Sequence, residues 1–300
     1  MDRYRINSCP LCGQRHFSNF VKCKDYVISG ETYSLLKCDD CGMIFTQDAP
    51  TEGELHRYDK VKQKLALGGH SRGFLNNIYY YARQTMLNRK AGLVEKLSCV
   101  KQGTLLNFGA KTGFFSNKMI RRGWRVTSIE RHHEERVFSL EFFHHRMLDI
   151  KELDSLQAEF FDVITLWHVF EHIHSPTKLL DKFFKLLKPN GLLFIALPNC
   201  QSFDAKHYGT GWAAYDVPRH LWHFNTNTIT RFCHQHGFIL MHHQAMLLDP
   251  FYISMMSEKH LNRWFPVIRG FFVGLYGWFL SIKKRDNCSS LLYVFRKNNT

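Results

Sequence analysis

Two cysteine pairs, each closed by a glycine, constrain the N-terminal end of this chain more than any other feature. Cys9-Pro10-Leu11-Cys12-Gly13 is followed by Cys38-Asp39-Asp40-Cys41-Gly42, with 25 residues between Cys12 and Cys38. Each Cys-x2-Cys sets two thiolates on one tight knuckle. The glycine after it permits the positive-φ turn that aims backbone N–H groups at sulfur. Two knuckles make a four-sulfur tetrahedron, the closed arrangement of structural zinc, with no coordination position left for catalysis. Cys9, Cys12, Cys38 and Cys41 are therefore expected to hold one zinc ion in a zinc ribbon over residues 1–50, with Tyr33–Cys38 a strand leading into the second knuckle. A unit of this size buries little core, so the metal supplies most of its folding energy. Redox chemistry of the thioredoxin kind would need only one pair. The five remaining cysteines (Cys23, Cys99, Cys200, Cys233 and Cys288) are scattered and read as ordinary buried residues of a reducing compartment.

The chain has 300 residues, room for about two domains. With 45% hydrophobic and 22% charged residues, global disorder is excluded. No twenty-residue uncharged apolar run is present, which argues against a polytopic membrane protein. The start, MDRYRINSCPLCG, carries no apolar signal core, so a cytoplasmic location is expected. A formal charge of +14 suits anionic partners without choosing among nucleic acid, membrane surface and phosphorylated substrate.

Residues 51–100 read as linker helices. Thr51–Leu55 is a capped helix start, Gly68–Gly73 a flexible break, and Phe74–Leu97 repeats apolar residues at helical spacing. From residue 101 the rhythm becomes strand–helix–strand. Thr104–Phe108 is a short apolar strand, Gly109–Gly113 a glycine-bounded turn, and Phe114–Arg122 a helix. Trp124–Ile129 is a second strand ending on Glu130, and Phe161–Trp167 a third. Pro176–Leu187 is a helix, Lys188–Gly191 a turn, Leu192–Leu197 a strand. This alternation predicts an α/β fold with a parallel sheet whose ligands bind at the carboxyl ends of the strands. The 109–113 turn opens a helix, and Glu130 at the next strand end is placed to accept hydrogen bonds from ribose hydroxyls. The dinucleotide fingerprint G-x-G-x-x-G and the Walker A loop are both missing, which leaves NAD and ATP without support.

These stretches, with Leu148-Asp149-Ile150 and Phe161–His172, resemble class I S-adenosylmethionine-dependent methyltransferases. Leu187–Gly191 looks like the turn before their fifth strand. Gly211–Phe224 resembles a subgroup carrying a cysteine-rich zinc module in front. The resemblance implies a Rossmann-like seven-stranded sheet over 101–300 with its last strand antiparallel, and Ser290–Phe295 fits that strand. It also implies that Gly109 and Gly113 admit S-adenosylmethionine to the backbone, that Glu130 holds its ribose, and that Asp149 and Ile150 receive its adenine. Trp167 and His168 would border the sulfonium. The chain departs from the family at Asn107, where Asp or Glu is usual, and at Lys111, where a glycine is usual. Both positions belong to the expected cofactor site, and both weaken the expectation of full activity.

His168-Val-Phe-Glu171-His172 has the spacing of inverted zinc proteases, but it follows a strand directly and lacks their long helix. Ubiquinone-pathway O-methyltransferases and small-RNA 3′-end methyltransferases resemble it with a metal-binding Glu-x-x-Glu-His. Here His168 stands for the first Glu, so a second divalent metal at His168, Glu171 and His172, joined by His220 and His223, is one expectation. Simple shaping of the pocket is the other. Either way His168, Glu171, His172, Tyr215 and His220 are expected to line the acceptor site, where a histidine suits a general base. Residues 248–285, with the apolar Trp264–Ile282 and the following Lys283-Lys284-Arg285, read as a lid over the site or, through 264–285, as a peripheral membrane contact. The sum is a methyltransferase acting on a small molecule such as a sugar or glycolipid precursor. An RNA methyltransferase and a degenerate binding module of the same fold are the alternatives.

Overall fold

A computed structural model of the chain describes residues 3–55, 57–58 and 74–298. The expected glycine break at 68–73 lies outside them. At 51–55 the chain makes a single turn, with Leu55 N–H donating to the Thr51 carbonyl at 3.2 Å.

The N-terminal module contains β1 (Arg3–Tyr4), β2 (Phe17–Lys24), β3 (Thr32–Cys38), β4 (Ile44–Thr46) and β5 (Ala49–Pro50). Strands β2, β3 and β4 form an antiparallel meander, and β1 pairs with β5. In chain order, helix α1 (Phe74–Ser98) lies between this module and the main sheet. Its Leu87, Ala91 and Val94 are buried against Leu105, Phe115, Met119 and Trp124, so α1 covers one face of the main sheet.

That sheet contains β6 (Thr104–Phe108), β7 (Arg125–Ile129), β8 (Phe161–Trp167), β9 (Leu187–Pro198), β11 (Phe238–Ala245) and β12 (Ser290–Lys297). Between them lie α2 (Phe114–Ile120), α3 (His133–Phe143), α4 (Pro176–Leu186), α5 (Phe203–Tyr208), β10 (Trp222–His223), α6 (Thr226–Gln235), α7 (Asp249–His260) and α8 (Pro266–Lys283). The order is β11-β12-β9-β8-β6-β7. Strands β6 to β9 run parallel, and β12 is antiparallel to both its neighbours. Residues buried on both faces, as in β8 and β12, explain why these strands read as continuous apolar runs.

Two expectations are corrected. Among the described residues the sheet has six strands, not seven. Where a strand beyond β7 would lie, one parallel bridge joins Ile129 to Leu148. Pairing stops there because Asp149 turns the chain, capping a 3-10 turn over Ile150–Ser155 in a capping box with Glu152. The second correction concerns Lys188–Gly191, which is a bulge inside β9 and not a separate turn. Phe161 pairs with Leu187 while Val163 pairs with Leu192, and Asn190 absorbs the excess at φ 62°.

The module shares its sheet with the larger unit. Strand β10 adds to β4, Trp222 opposite Phe45 and His223 opposite Ile44. Ile6, Cys9, Cys38 and Phe45 belong to the same buried cluster as Phe170, Leu221, Trp222 and Phe224.

Candidate functional site

The four module cysteines meet. Gly13 and Gly42 both take φ 75° and donate back to the carbonyls of Cys9 and Cys38, at 2.8 and 3.0 Å. The knuckles therefore share one geometry, with Leu11 and Cys12 N–H facing Cys9 Sγ, and Asp40 and Cys41 N–H facing Cys38 Sγ. Cys9 Sγ lies 3.4 Å from Cys41 Sγ, and Cys12 Sγ 3.4 Å from Cys38 Sγ. These separations are far beyond a disulfide and close to the ~3.8 Å edge of a zinc–thiolate tetrahedron. All four sulfurs fall within 4.8 Å of one another, so the donor set fits zinc.

A second feature is a cleft of about 270 Å³ at the carboxyl ends of β6, β7 and β8. Gly109, Lys111, Glu130, Ile150, His168 and His172 line it, with Phe108, Leu55 and Arg219 among the other walls. Gly109 and Ala110 N–H both donate to the Ile129 carbonyl, at 2.9 and 3.0 Å, which folds the glycine turn back on β7. Glu130 then ties the turn to the next loop. Its Oε2 accepts from Lys111 N–H at 2.7 Å and its Oε1 from His132 N–H at 3.0 Å. A carboxylate has about four lone-pair sites, so acceptor capacity remains for hydroxyls in the cleft. Gly109 stands at φ 70°, and a Cβ there would lie 2.5 Å from Val169 Cγ2. Lys111 stands at φ 50°, the left-handed region where glycine is at ease and a side chain is strained.

Several expected cofactor residues stand behind the cleft and not in its wall. Asn107 is buried, donating to Ser116 Oγ at 2.9 Å and accepting from Thr165 Oγ1 at 3.1 Å. The amide is used as a donor there, which a carboxylate could not match. Asp149 accepts from Lys151 N–H at 3.0 Å and pairs with Arg136 at 2.9 Å, while its neighbour Ile150 faces the cleft. Gly113 is a packing position, where a Cβ would meet Met147 Cε at 2.5 Å. Trp167 is buried edge-on to Phe115, 5.2 Å between centroids.

His172 Nδ1 sits 2.9 Å from the Arg219 carbonyl, and His220 Nδ1 2.8 Å from the Ala214 carbonyl. A carbonyl only accepts, so both Nδ1 atoms carry protons. In the neutral rings this leaves both Nε2 atoms as lone pairs. Glu171, His172 and His220 place one ligand atom each within 4.8 Å of the others. Glu171 Oε1 is 3.8 Å from His220 Nε2, and Glu171 itself is buried. His168 is shared between this group and α7, its Nδ1 lying 3.8 Å from Glu171 Oε1. It closes β8 at φ 55°, and its Nε2 lies 3.3 Å from Asp249 Oδ2 at the start of α7. Burial raises the Asp249 pKa, but the hydrogen bond and charge of His168 outweigh it and hold the carboxyl below its usual range. Tyr215 does not reach the cleft; it packs against Trp212 and His223 in a separate buried cluster.

Asp249, Lys90 and Arg219 carry no sequence signal. Lys90, on α1, holds its ammonium 4.4 Å above the Trp167 ring. Burial, aided by the like charge of Lys111, pulls its pKa down to about 8 despite Asp249 nearby. Arg219 is fully buried between Asp216 and Asp25, the latter 3.6 Å away in the N-terminal module.

Comparison with known proteins narrows what such a cleft belongs to. A ubiquinone biosynthesis O-methyltransferase of Xanthomonas axonopodis pv. citri (strain 306) is 30% identical over 129 residues, 40% of this chain and 54% of that protein. The chain thus spans about half the length of the curated relatives it matches. The phosphoethanolamine N-methyltransferase 2 of Haemonchus contortus, solved with S-adenosyl-L-methionine, superposes with a TM-score of 0.51 at 15% identity, covering 71% of this chain and 53% of that one. The cyclase SpnF superposes with a TM-score of 0.50 at 16% identity, over 70% of this chain and 80% of that one. Likeness at this level shows the fold alone, since a cyclase shares it. The family model of the methyltransferase domain matches residues 81–243, which run from α1 through β11 and take in the glycine turn, Glu130 and His168–His172. That match covers more than half of the chain, and the protein is a member of the methyltransferase domain family.

Proposed function

We propose that the protein is an S-adenosylmethionine-dependent methyltransferase acting on a small-molecule hydroxyl. The observation that carries this is the Gly109–Lys111 turn folded onto Glu130 at the mouth of the parallel sheet. Glu130 would hold the ribose, Ile150 and Phe108 would pack the adenine, and Gly109 would admit the methionine part. When bound, the cofactor supplies an electrophilic methyl group. The protein's own tasks are orientation and proton removal. With Asp249 ionised, His168 donates from Nε2 to it, leaving the Nδ1 lone pair to take the acceptor's proton. The curated ubiquinone-pathway relatives are named as O-methyltransferases, which favours oxygen as the acceptor atom. A sugar or glycolipid precursor remains our proposal for the acceptor class.

Zinc at Cys9, Cys12, Cys38 and Cys41 is proposed as structural. A divalent transition metal at Glu171, His172 and His220 is a second reading. It is favoured by two imidazoles locked with Nε2 free of protons, the outer-sphere arrangement that metal-bound histidines use. Imidazole and carboxylate together suit zinc or another transition metal better than magnesium.

Calorimetry with S-adenosylmethionine and S-adenosylhomocysteine tests the cofactor assignment, with Glu130→Ala expected to weaken both by ~1.5 kcal/mol or more. Equal affinity in mutant and wild type would refute the placement. Metabolite extracts incubated with methyl-labelled cofactor test the acceptor class, and label recovered in RNA would favour the RNA alternative.

A further inference from the structure

We infer that α8 is a docking surface for an anionic lipid bilayer, lying in the plane of the membrane interface. This inference stands apart from the methyl-transfer reading. It begins with the way α8 is attached. Gly270, Gly274, Gly277 and Ser281 are buried. A Cβ at Gly270 would lie 2.4 Å from Met255 Cα, and one at Gly274 2.7 Å from Phe251 Cα. The helix is therefore clamped backbone-to-backbone on α7, and no large side chain fits between them.

Val273, Trp278 and Leu280 flank this contact half-buried, and Phe271 and Tyr276 touch Phe251 and Phe203, while the remaining bulky residues turn away. Phe265, Ile268, Phe272, Leu275, Phe279 and Ile282 recur at spacings of three and four, forming one stripe opposite the glycines, and all six are exposed. Phe272 is 62% exposed and the adjoining Trp264 83%. At 1.5 Å per residue the stripe is roughly 25 Å long. Water-exposed apolar stripes of this size mark interaction surfaces. None of these residues lines the cleft, so the stripe does not serve the site from inside.

Charge selects the occupant. Residues 263–285 contain Arg263, Arg269, Lys283, Lys284 and Arg285 and no carboxylate. Glu258 neutralises one charge at the N-terminal end, 3.4 Å from Arg263 and 3.2 Å from Arg269. At the other end Lys283, Lys284 and Arg285 are exposed, with the Lys283 ammonium 4.7 Å above the Phe279 ring. A second copy is disfavoured, because pairing α8 with itself sets cation on cation in either direction. An anionic headgroup layer matches both features: apolar side chains enter the acyl boundary while lysines meet phosphate. No described helix is long and apolar enough to cross a membrane, so the contact is one of lying on the surface. Docking would also hold the Asp249 end of α7 beside the bilayer, since Gly274 packs against Pro250 and Phe251.

The test is flotation of the full-length, zinc-loaded chain with phosphatidylcholine vesicles, with and without phosphatidylglycerol. Wild type should float with the anionic vesicles, less with neutral ones, and less at high salt. Phe272→Glu/Leu275→Glu and Lys283→Glu/Lys284→Glu should each reduce partitioning by about tenfold or more. Phe265→Ser/Ile268→Ser, at the opposite end, serves as an independent pair should the first be unstable; thermal unfolding verifies the fold of each. Wild type that fails to float, or variants that float as well as wild type, would overturn the inference. So would a wild-type dimer that Phe272→Glu/Leu275→Glu converts to monomer with no vesicle binding.

Discussion

The Thr46 hydroxyl donates a 2.7 Å hydrogen bond to the carbonyl of His220, joining the strand after the second cysteine knuckle to the loop that carries His220 and leads into β10. The same oxygen lies 2.9 Å from His223 Nε2. Since its single proton goes to the carbonyl, His223 must donate from Nε2. One threonine thus sets the position of one histidine and the tautomer of another. Thr46→Val keeps the shape but leaves a buried carbonyl and a buried N–H unsatisfied. It should cost about 2–4 kcal/mol in denaturant unfolding while zinc content stays at one per chain. A cost below ~0.5 kcal/mol would show that the link carries no weight.

Removing the metal should reach the same loop by a longer route. Cys38 is fully buried and shares a core with Leu221, Trp222 and Phe224. Cys38→Ser should abolish zinc in elemental analysis. It should also loosen β10, read as faster amide exchange at Leu221–His223. Normal protection there in a zinc-free variant would separate the module from the β10 segment.

Much of this was legible in the sequence. The knuckles, the strand–helix alternation and Glu130 are local patterns, and local patterns survive in one dimension. The family resemblance places Asn107 in the cofactor site by its position on the strand. Position on a strand does not tell which face the side chain takes, and Asn107 turns inward to Ser116 and Thr165. Tyr215 failed to reach the cleft for a similar reason, since its loop's path is set by Trp212 and the zinc-module strands. Asp249 was invisible because its partner His168 is 81 residues distant, and only the fold brings them to 3.3 Å. The seventh strand was expected from resemblance, and a capping box at Asp149 ends it after one bridge.

Lys111 offers a test of backbone and charge together. Its φ of 50° costs a side-chain-bearing residue about 1 kcal/mol. Lys111→Gly should therefore stabilise the chain by about that amount, raising Tm by roughly 2 °C. Lys111 also lines the cleft proposed for the sulfonium cofactor, so the same change should tighten S-adenosylmethionine by about 1 kcal/mol and S-adenosylhomocysteine by less. Unchanged stability with lost turnover would instead show that Lys111 reaches an anionic acceptor.

Asp249 should act as a positioning residue through His168. Asp249→Asn removes the negative charge that holds the Nε2 proton. Turnover should fall about a hundredfold or more, with KM and cofactor affinity nearly unchanged. Asp249→Glu should recover part of the loss. A variant whose cofactor affinity falls along with its turnover would point to a structural role for α7.

Acid should destabilise the protein through His223. The ring is buried, and burial pulls its pKa down to about 3. An unfolded histidine titrates near 6.5, so between those values the unfolded chain binds a proton that the folded one refuses. The contribution is fully present above about pH 6.5 and is lost as pH falls toward 3. Its slope is about 1.4 kcal/mol per pH unit. His145 and His174 are also pulled down by burial, so wild type alone would blur the assignment. The difference between wild type and His223→Gln isolates it. Denaturant unfolding at pH 7, 6 and 5 should show the mutant less stable at pH 7 and the gap closing by about 1.4 kcal/mol per unit below pH 6.5. A gap that stays constant with pH would mean that His223 takes up its proton as readily in the folded protein as in the unfolded chain.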